Sequence, residues 1–280
     1  MSIISISGKI GTDKDTVAAI IQYLVWKDRI RRKEITSIHN TFEDFLNISS
    51  VGYKLSGWEI RRFADKLKDI VCLLIGCTRE QLEDRDFKEA ELGEKWWYYK
   101  HNIEGKILSI AEFDRINALN MNLLNSHYTL VKPTPRLLMQ LLGTNCGRII
   151  LHPNIWVNSL MIEYKAEDVG PVFSKKYYPN SNEKDIIVKY PNWIISDTRF
   201  PNELKAVKDR NGVTIRITRP DFVENALTGE KFPVKVHRQE HESETALDNS
   251  EFDYTIDNNG TIDDLRDKVE AILKQEKIIS

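Results

Sequence analysis

The stretch Ile3-Ile4-Ser5-Ile6-Ser7-Gly8-Lys9-Ile10-Gly11-Thr12-Asp13-Lys14-Asp15-Thr16 decides how the chain is read. Its first residues are mostly β-branched and stop at Gly8, as a short buried strand does. From Lys14 the apolar period changes, and Val17, Ile20, Ile21, Leu24 and Val25 fall on one helical face. The order is strand, glycine-containing loop, helix. Glycines in such a loop let backbone N–H groups converge on anionic oxygens, and the helix N-terminus adds its dipole and its unpaired N–H groups. Gly8, Gly11, Thr12, Asp13, Lys14, Asp15 and Thr16 are therefore expected to form a phosphate-binding loop. In it Lys14 reaches the β- and γ-phosphates of a nucleotide, and the Thr16 hydroxyl approaches Mg²⁺. The alternative is an ordinary turn between strand and helix.

Asp13 stands where a loop of this kind usually has the glycine directly before its lysine. Aspartate tolerates a left-handed backbone at a cost on the order of 1 kcal/mol. Its charge matters more: at ~5 Å and an effective dielectric of ~20, a carboxylate and a phosphate repel by about 3 kcal/mol. Lys9 is the expected partial counterion. A second element, Ser196-Asp197-Thr198-Arg199-Phe200-Pro201-Asn202-Glu203, follows a buried strand at 193–196. An acid at such a strand end beside a phosphate loop is placed to hold Mg²⁺ or its waters. Arg199 is placed to neutralise charge on a transferring phosphoryl group. The plainer reading of Asp197 is a helix cap or turn former.

Around these elements the pattern alternates strand and helix, which argues for an α/β protein with a parallel sheet. Helices are expected over 63–74 (closing near Gly76), from Thr134 and Pro135 to a stop at Gly143, from His152 through Met161, over 202–210, and after Thr261, whose spacing to Asp264 suits a capping box. Residues 84–128 and 163–191 read as polar insertions, and 219–247, with Arg219, His237, Arg238 and His241, as a candidate lid. One domain over 1–280 is the simplest account. The 280 residues carry 40 Lys+Arg against 42 Asp+Glu, a net charge of −2, so the broad basic field of a polymeric nucleic-acid binder is missing. No apolar run approaches the ~20 residues of a membrane span, and the opening residues do not suit a signal peptide. Three cysteines, Cys72, Cys77 and Cys146, suit reduced packing thiols of a cytoplasmic protein. Trp96-Trp97-Tyr98-Tyr99 reads as the anchor of an insertion or as an oligomer contact, such as that of a homodimer.

Beside the loop, FADKLKD (63–69), TPRLLMQLLGTNCGR (134–148), HPNIWVN (152–158), SDTRFPNE (196–203) and HESETALDNSEFDYTIDNNGTIDDL (241–265) occur in that order. Together they resemble the deoxynucleoside monophosphate kinase family of tailed bacteriophages and prophages. The likeness runs from the first strand to the last helix and leaves mainly the two insertions unmatched. It implies a P-loop NTPase fold of the nucleoside monophosphate kinase kind, with helices on both faces of the sheet. It further implies transfer of phosphate from ATP, with Mg²⁺, to a deoxynucleoside monophosphate, in a host cytoplasm if the gene is a phage's. By motif, Lys14, Asp197 and Arg199 are the implied catalytic residues, and Thr16 and Asp197 the implied Mg²⁺ ligands. Asn258 and Gly260 match the turn against adenine. Phe63, Asp65, Lys68, Arg136, Arg148, Trp156 and Arg219 are implied on the acceptor side. The family shares Lys-Asp-Thr at 14–16 but has glycine at position 13. The C-terminal segment also resembles animal phosphomevalonate kinases, so a small phosphorylated alcohol is an alternative acceptor. A nucleotide-binding protein silenced by Asp13 is another alternative.

Overall fold

The computed structural model describes residues 2–37, 41–47, 52–119, 126–171, 186–219, 222–224, 231–233 and 242–280. Strands β1 (Ile3–Ser7), β2 (Trp58–Arg61), β3 (Asn192–Thr198), β4 (Val213–Thr218) and β5 (Tyr254–Asp257) form one sheet in the order β5-β4-β1-β3-β2. Every pairing is parallel. β1 is buried throughout because it lies at the centre with both of its faces covered.

The period of two along the strands sorts their side chains between two cores. Ile4, Ile6, Ile194, Val213, Ile215, Ile217 and Ile256 face helices α1 (Lys14–Arg31) and α3 (Ile262–Gln275). Ile3, Trp193 and Ile195 face the other way, onto Val157, Leu160 and Met161 and onto Ala206 and Val207 of α2 (Pro201–Lys208). The expected α/β sheet with flanking helices is thus present. α1 is enclosed more fully than its five-residue stripe suggests. Tyr23, Trp26, Gln22 and Asp28 are buried too, and Gln22 Nε2 donates to the Trp58 carbonyl at 2.6 Å. α3 starts as its capping box requires, with Asp264 N–H donating to Thr261 Oγ1 at 3.2 Å and Thr261 N–H to Asp264 Oδ2 at 2.7 Å. β2 has no counterpart in the sequence reading. Its Trp-Glu-Ile-Arg is too short and too polar to stand out, and it is an edge strand held by its pairing to β3.

The chain divides into two compact units, one made of Met1–Phe63 with Val157–Ser280 and the other of Ala64–Trp156. The second unit contains the helix Asp65–Ile75, closed by left-handed Gly76 at φ 72°, where the sequence places its end. The stretch expected as a polar insertion, 84–128, holds regular elements: the strands Ile107–Ser109, Tyr98–His101 and Tyr128–Val131 form an antiparallel sheet, backed by the helix Ile110–Leu119, whose Phe113 stacks on Tyr99. Trp97 also anchors inside this unit, its Nε1 donating to the Leu92 carbonyl at 2.9 Å. The 163–191 region contributes a pair of antiparallel strands, Glu167–Pro171 with Ile186–Lys189. The candidate lid contributes another pair, Phe222–Glu224 with Lys231–Pro233. His237, Arg238 and His241 lie outside the described residues.

A second correction concerns Gly143. Thr134 caps the helix Pro135–Gln140 as expected, but the chain does not stop at Gly143. It continues as a wide π-helix over Leu141–Leu151 that ends with His152 N–H on the Gly147 carbonyl. Gly143 and Gly147 are there for close approach rather than for termination. A Cβ on Gly143 would meet Leu67 Cδ2 at 2.9 Å, and one on Gly147 would meet the Leu142 carbonyl at 2.6 Å and the Trp156 ring at 2.9 Å. The same Trp156 donates its Nε1 to the Gly143 carbonyl at 2.8 Å. Gly147→Ala is expected to destabilise by about 1–3 kcal/mol through overpacking, against the gain of ~1 kcal/mol normal for this change inside a helix. The midpoint of chemical denaturation checks this, and an unchanged or higher midpoint contradicts it.

Candidate functional site

All five strands end at one edge of the sheet, where open α/β sheets place their ligands. The 8–13 loop follows β1, Arg62 and Phe63 follow β2, Asp197 and Arg199 end β3, Arg219 follows β4 and Asn258 follows β5. Topology alone therefore gathers residues that are up to about 250 positions apart in sequence.

Within the loop, a Cβ on Gly8 would meet Thr12 Oγ1 at 2.5 Å and the Ile217 carbonyl at 2.8 Å, so no side chain fits there. Gly11 takes φ 82°, open to glycine at no steric cost. Thr12 is buried and donates its hydroxyl to the Lys9 carbonyl at 2.9 Å. Lys14 folds back over the turn, its Nζ donating to the Gly8 and Lys9 carbonyls at 2.7 Å each. Burial first, and the Arg199 guanidinium second, lower the pKa of this ammonium to about 8, while Asp15 and Asp197 partly support its charge. Thr16 lies half-buried on the first turn of α1.

Asp13 adopts the left-handed conformation its position demands, φ 64° and ψ 36°, and makes no side-chain cap on α1. Its carboxylate turns to the far strands instead. Arg219 at the end of β4 pairs with Asp13 Oδ2, and Asn258 Nδ2 donates to the same oxygen at 3.0 Å. Asn258 is buried and also reaches the Thr12 carbonyl at 3.4 Å. The expectation that Lys9 would offset Asp13 is corrected: Lys9 pairs with Asp248 at 3.6 Å, and Arg219 is the counterion.

On the other side of the loop, Asp15 Oδ1 accepts from Arg62 at 2.7 Å and from the Ser196 hydroxyl at 3.2 Å. Asp197 Oδ1 accepts the Phe63 N–H at 2.8 Å, tying the end of β3 to that of β2. The Arg199 backbone is fixed by buried Glu203, whose carboxylate accepts the N–H groups of Arg199 at 2.8 Å and Phe200 at 3.2 Å at the start of α2. The Arg199 side chain pairs with Glu244, and the other oxygen of Glu244 accepts the Ile10 N–H at 2.8 Å. Arg216 of β4 donates to Ser7 Oγ at 2.9 Å and pairs with Asp248 at 2.8 Å.

The structure thus gathers Gly8, Gly11, Thr12, Asp13, Lys14, Asp15, Thr16, Asp197, Arg199, Arg219 and Asn258 at one edge. Phe63 joins them through its N–H, its ring being core. Gly260 serves the cap of α3, since a Cβ there would lie 2.5 Å from Asp264 Oδ2. The other candidates belong to the second unit. Asp65 pairs with Arg79 at 3.0 Å, Lys68 with Glu83 at 2.6 Å, and Arg136 with Glu89. Arg148 is half-buried on the π-helix, and Trp156 is a core residue of that unit. Arg62, Arg216, Glu244 and Asp248 take part at the edge without having been singled out in the sequence. Arg216 has a legible signal, a charge inside the apolar run Val213-Thr214-Ile215-Arg216-Ile217; Glu244 and Asp248 lie in the 241–265 segment that carries part of the resemblance, but no local pattern marks them among the other acids there.

Among the described residues no helix is long and apolar enough to cross a membrane. Compared with known proteins, the sequence matches no family model and no curated protein.

The depressed Lys14 pKa fixes a sign. The unfolded chain holds this proton up to the ordinary lysine range near 10.5, whereas the folded state gives it up near 8. The buried charge therefore disfavours the fold below pH about 8, and the penalty is relieved as pH rises toward 10.5. The stability of Lys14→Met relative to wild type is expected to be greatest at about pH 7 and to decline by about pH 10, read from paired urea titrations. A difference that is flat across that window contradicts the assignment.

Proposed function

We propose that the protein transfers a phosphoryl group from ATP to a deoxynucleoside monophosphate, with Mg²⁺. The observation that carries the reading is the loop between β1 and α1. It is a glycine-lined turn at the sheet's carboxyl edge, running into an 18-residue helix, with a desolvated ammonium folded over its carbonyls. Such a site favours an anion through its N–H groups, its helix dipole and an ammonium that regains full charge when phosphate arrives. Bound phosphate raises the Lys14 pKa, so binding near pH 8 takes up a proton.

The donor set also suits Mg²⁺. Thr16 and Asp197 offer two oxygen ligands and no nitrogen or sulfur. That matches an ion that keeps several waters and binds largely through phosphate oxygens. When bound, it neutralises charge on those oxygens. Lys14 and Arg199 supply positive charge toward the transferring group, and Asp15, pinned by Arg62 and Ser196, fixes the first turn of α1. The acceptor rests on the motif resemblance at 63–69 and 134–158. Pairing of the Asp13 carboxylate with Arg219 and Asn258 supports a working loop over one silenced by Asp13.

Release of ADP from ATP and Mg²⁺ with dTMP, dGMP, dCMP and dAMP in turn tests the reaction. One acceptor is expected to support turnover, and Lys14→Ala to abolish it while leaving the melting transition in place. Wild-type inertness toward all four, or a fully active Lys14→Ala, overturns the reading. The Asp13 pairing makes a separate prediction. Arg219→Ala uncovers the carboxylate and is expected to weaken ATP binding by about tenfold to a hundredfold, as ~5 Å repulsion at a dielectric of ~20 implies. Asp13→Gly in the same chain is expected to restore it. Equal losses in the single and double variants would show that Arg219 acts otherwise.

A further inference from the structure

Glu244 bridges the loop after β1 and the end of β3. It reaches the loop from the short helix Glu242–Thr245, and its side chain is only 11% exposed. One carboxylate oxygen accepts the backbone N–H of Ile10 at 2.8 Å, and the other pairs with Arg199. The Ile10 side chain itself points to solvent, 59% exposed, so the main-chain group is what the carboxylate seeks. A loop N–H and a guanidinium gripping two oxygens of one anion is how phosphate is held. Four residues on, Asp248 covers Lys9 and Arg216 in the same way. One segment thus lays two carboxylates across the cations of an anion site.

We propose that the Ile10 N–H and the Arg199 guanidinium form an oxyanion subsite for the phosphate chain of the nucleotide, and that Glu244 occupies this subsite until the ligand displaces it. The inference rests on the phosphate-loop reading above and adds a resident competitor to it. A carboxylate and a phosphate cannot share these donors, because like charges a few ångströms apart in a half-buried site repel. Binding therefore exchanges one anion for another. Arg199 passes from Glu244 to phosphate oxygens without an interval of unpaired charge, held in place by the Glu203 contact to its backbone. The apparent affinity is lowered by the strength of the contact that must be given up.

The test is calorimetric titration of inorganic tripolyphosphate into the full chain, as wild type, Glu244→Gln and Lys14→Ala. Glu244→Gln keeps the size of the side chain and removes the competing charge, and about tenfold tighter binding is expected. Lys14→Ala is expected to remove binding. If Glu244→Gln folds with an unchanged melting temperature and binds no more tightly than wild type, Glu244 merely positions Arg199 and the inference falls while the loop reading stands. If no variant, wild type included, binds tripolyphosphate, the loop reading fails and this inference with it. Should Glu244→Gln lose its melting transition, Glu244→Asp replaces it. The shorter carboxylate falls short of the Ile10 N–H, and tighter binding is again the expected result and unchanged or weaker binding the contrary one.

Discussion

Asp13, in the loop that carries β1 into α1, faces a cation from the end of a neighbouring strand, Arg219. The pairing decides more than local charge. Asp13 must hold a left-handed backbone for α1 to begin at Lys14, and a residue that is not glycine keeps that conformation only where its surroundings over-determine it. Arg219 from β4 and Asn258 from β5 supply that determination, because both converge on one oxygen of the same side chain. The loop is thereby fastened to the two strands on one side of β1, while Asp15, through Arg62 and Ser196, fastens the first turn of α1 to the strands on the other.

The same logic extends along the edge. Arg62, Arg199, Arg216, Arg219 and Lys9 each face a carboxylate of the chain itself. Lys14 instead donates to carbonyls and accepts a lowered pKa as a consequence of its burial. A nearly neutral protein can in this way hold a concentrated set of cations without the broad positive field that would attract polymeric nucleic acid. The most enclosed of these carboxylates is Glu244.

The glycines show how far the sequence can be read by rule. Gly76 ends its helix in the left-handed conformation that the rule for helix ends anticipates. Gly143 matches the same rule and breaks it, because what matters there is the approach of Leu67 and the Trp156 hydrogen bond rather than a backbone dihedral. A glycine chosen for its missing Cβ and one chosen for its φ look alike in one dimension. The strands within 84–128 leave little trace in the sequence for a related reason. Its strands are short, and what makes them strands is pairing across some thirty residues and the Tyr99–Phe113 stack, neither of which has a local period.

What the sequence determined by itself is whatever depends on neighbours within a few residues. It set β1 and the change of period into α1, the left-handed demand at position 13, the caps at Thr134 and Thr261, and the alternation that makes the sheet parallel. These are local because φ/ψ preference, capping and amphipathic period are properties of short segments. Tertiary structure alone decided which charges meet. Asp13 found Arg219 and not Lys9, and Glu244 found Ile10 and Arg199, because strand order sets which loop ends share an edge. Ion pairing acts over a few ångströms and carries no trace in sequence separation.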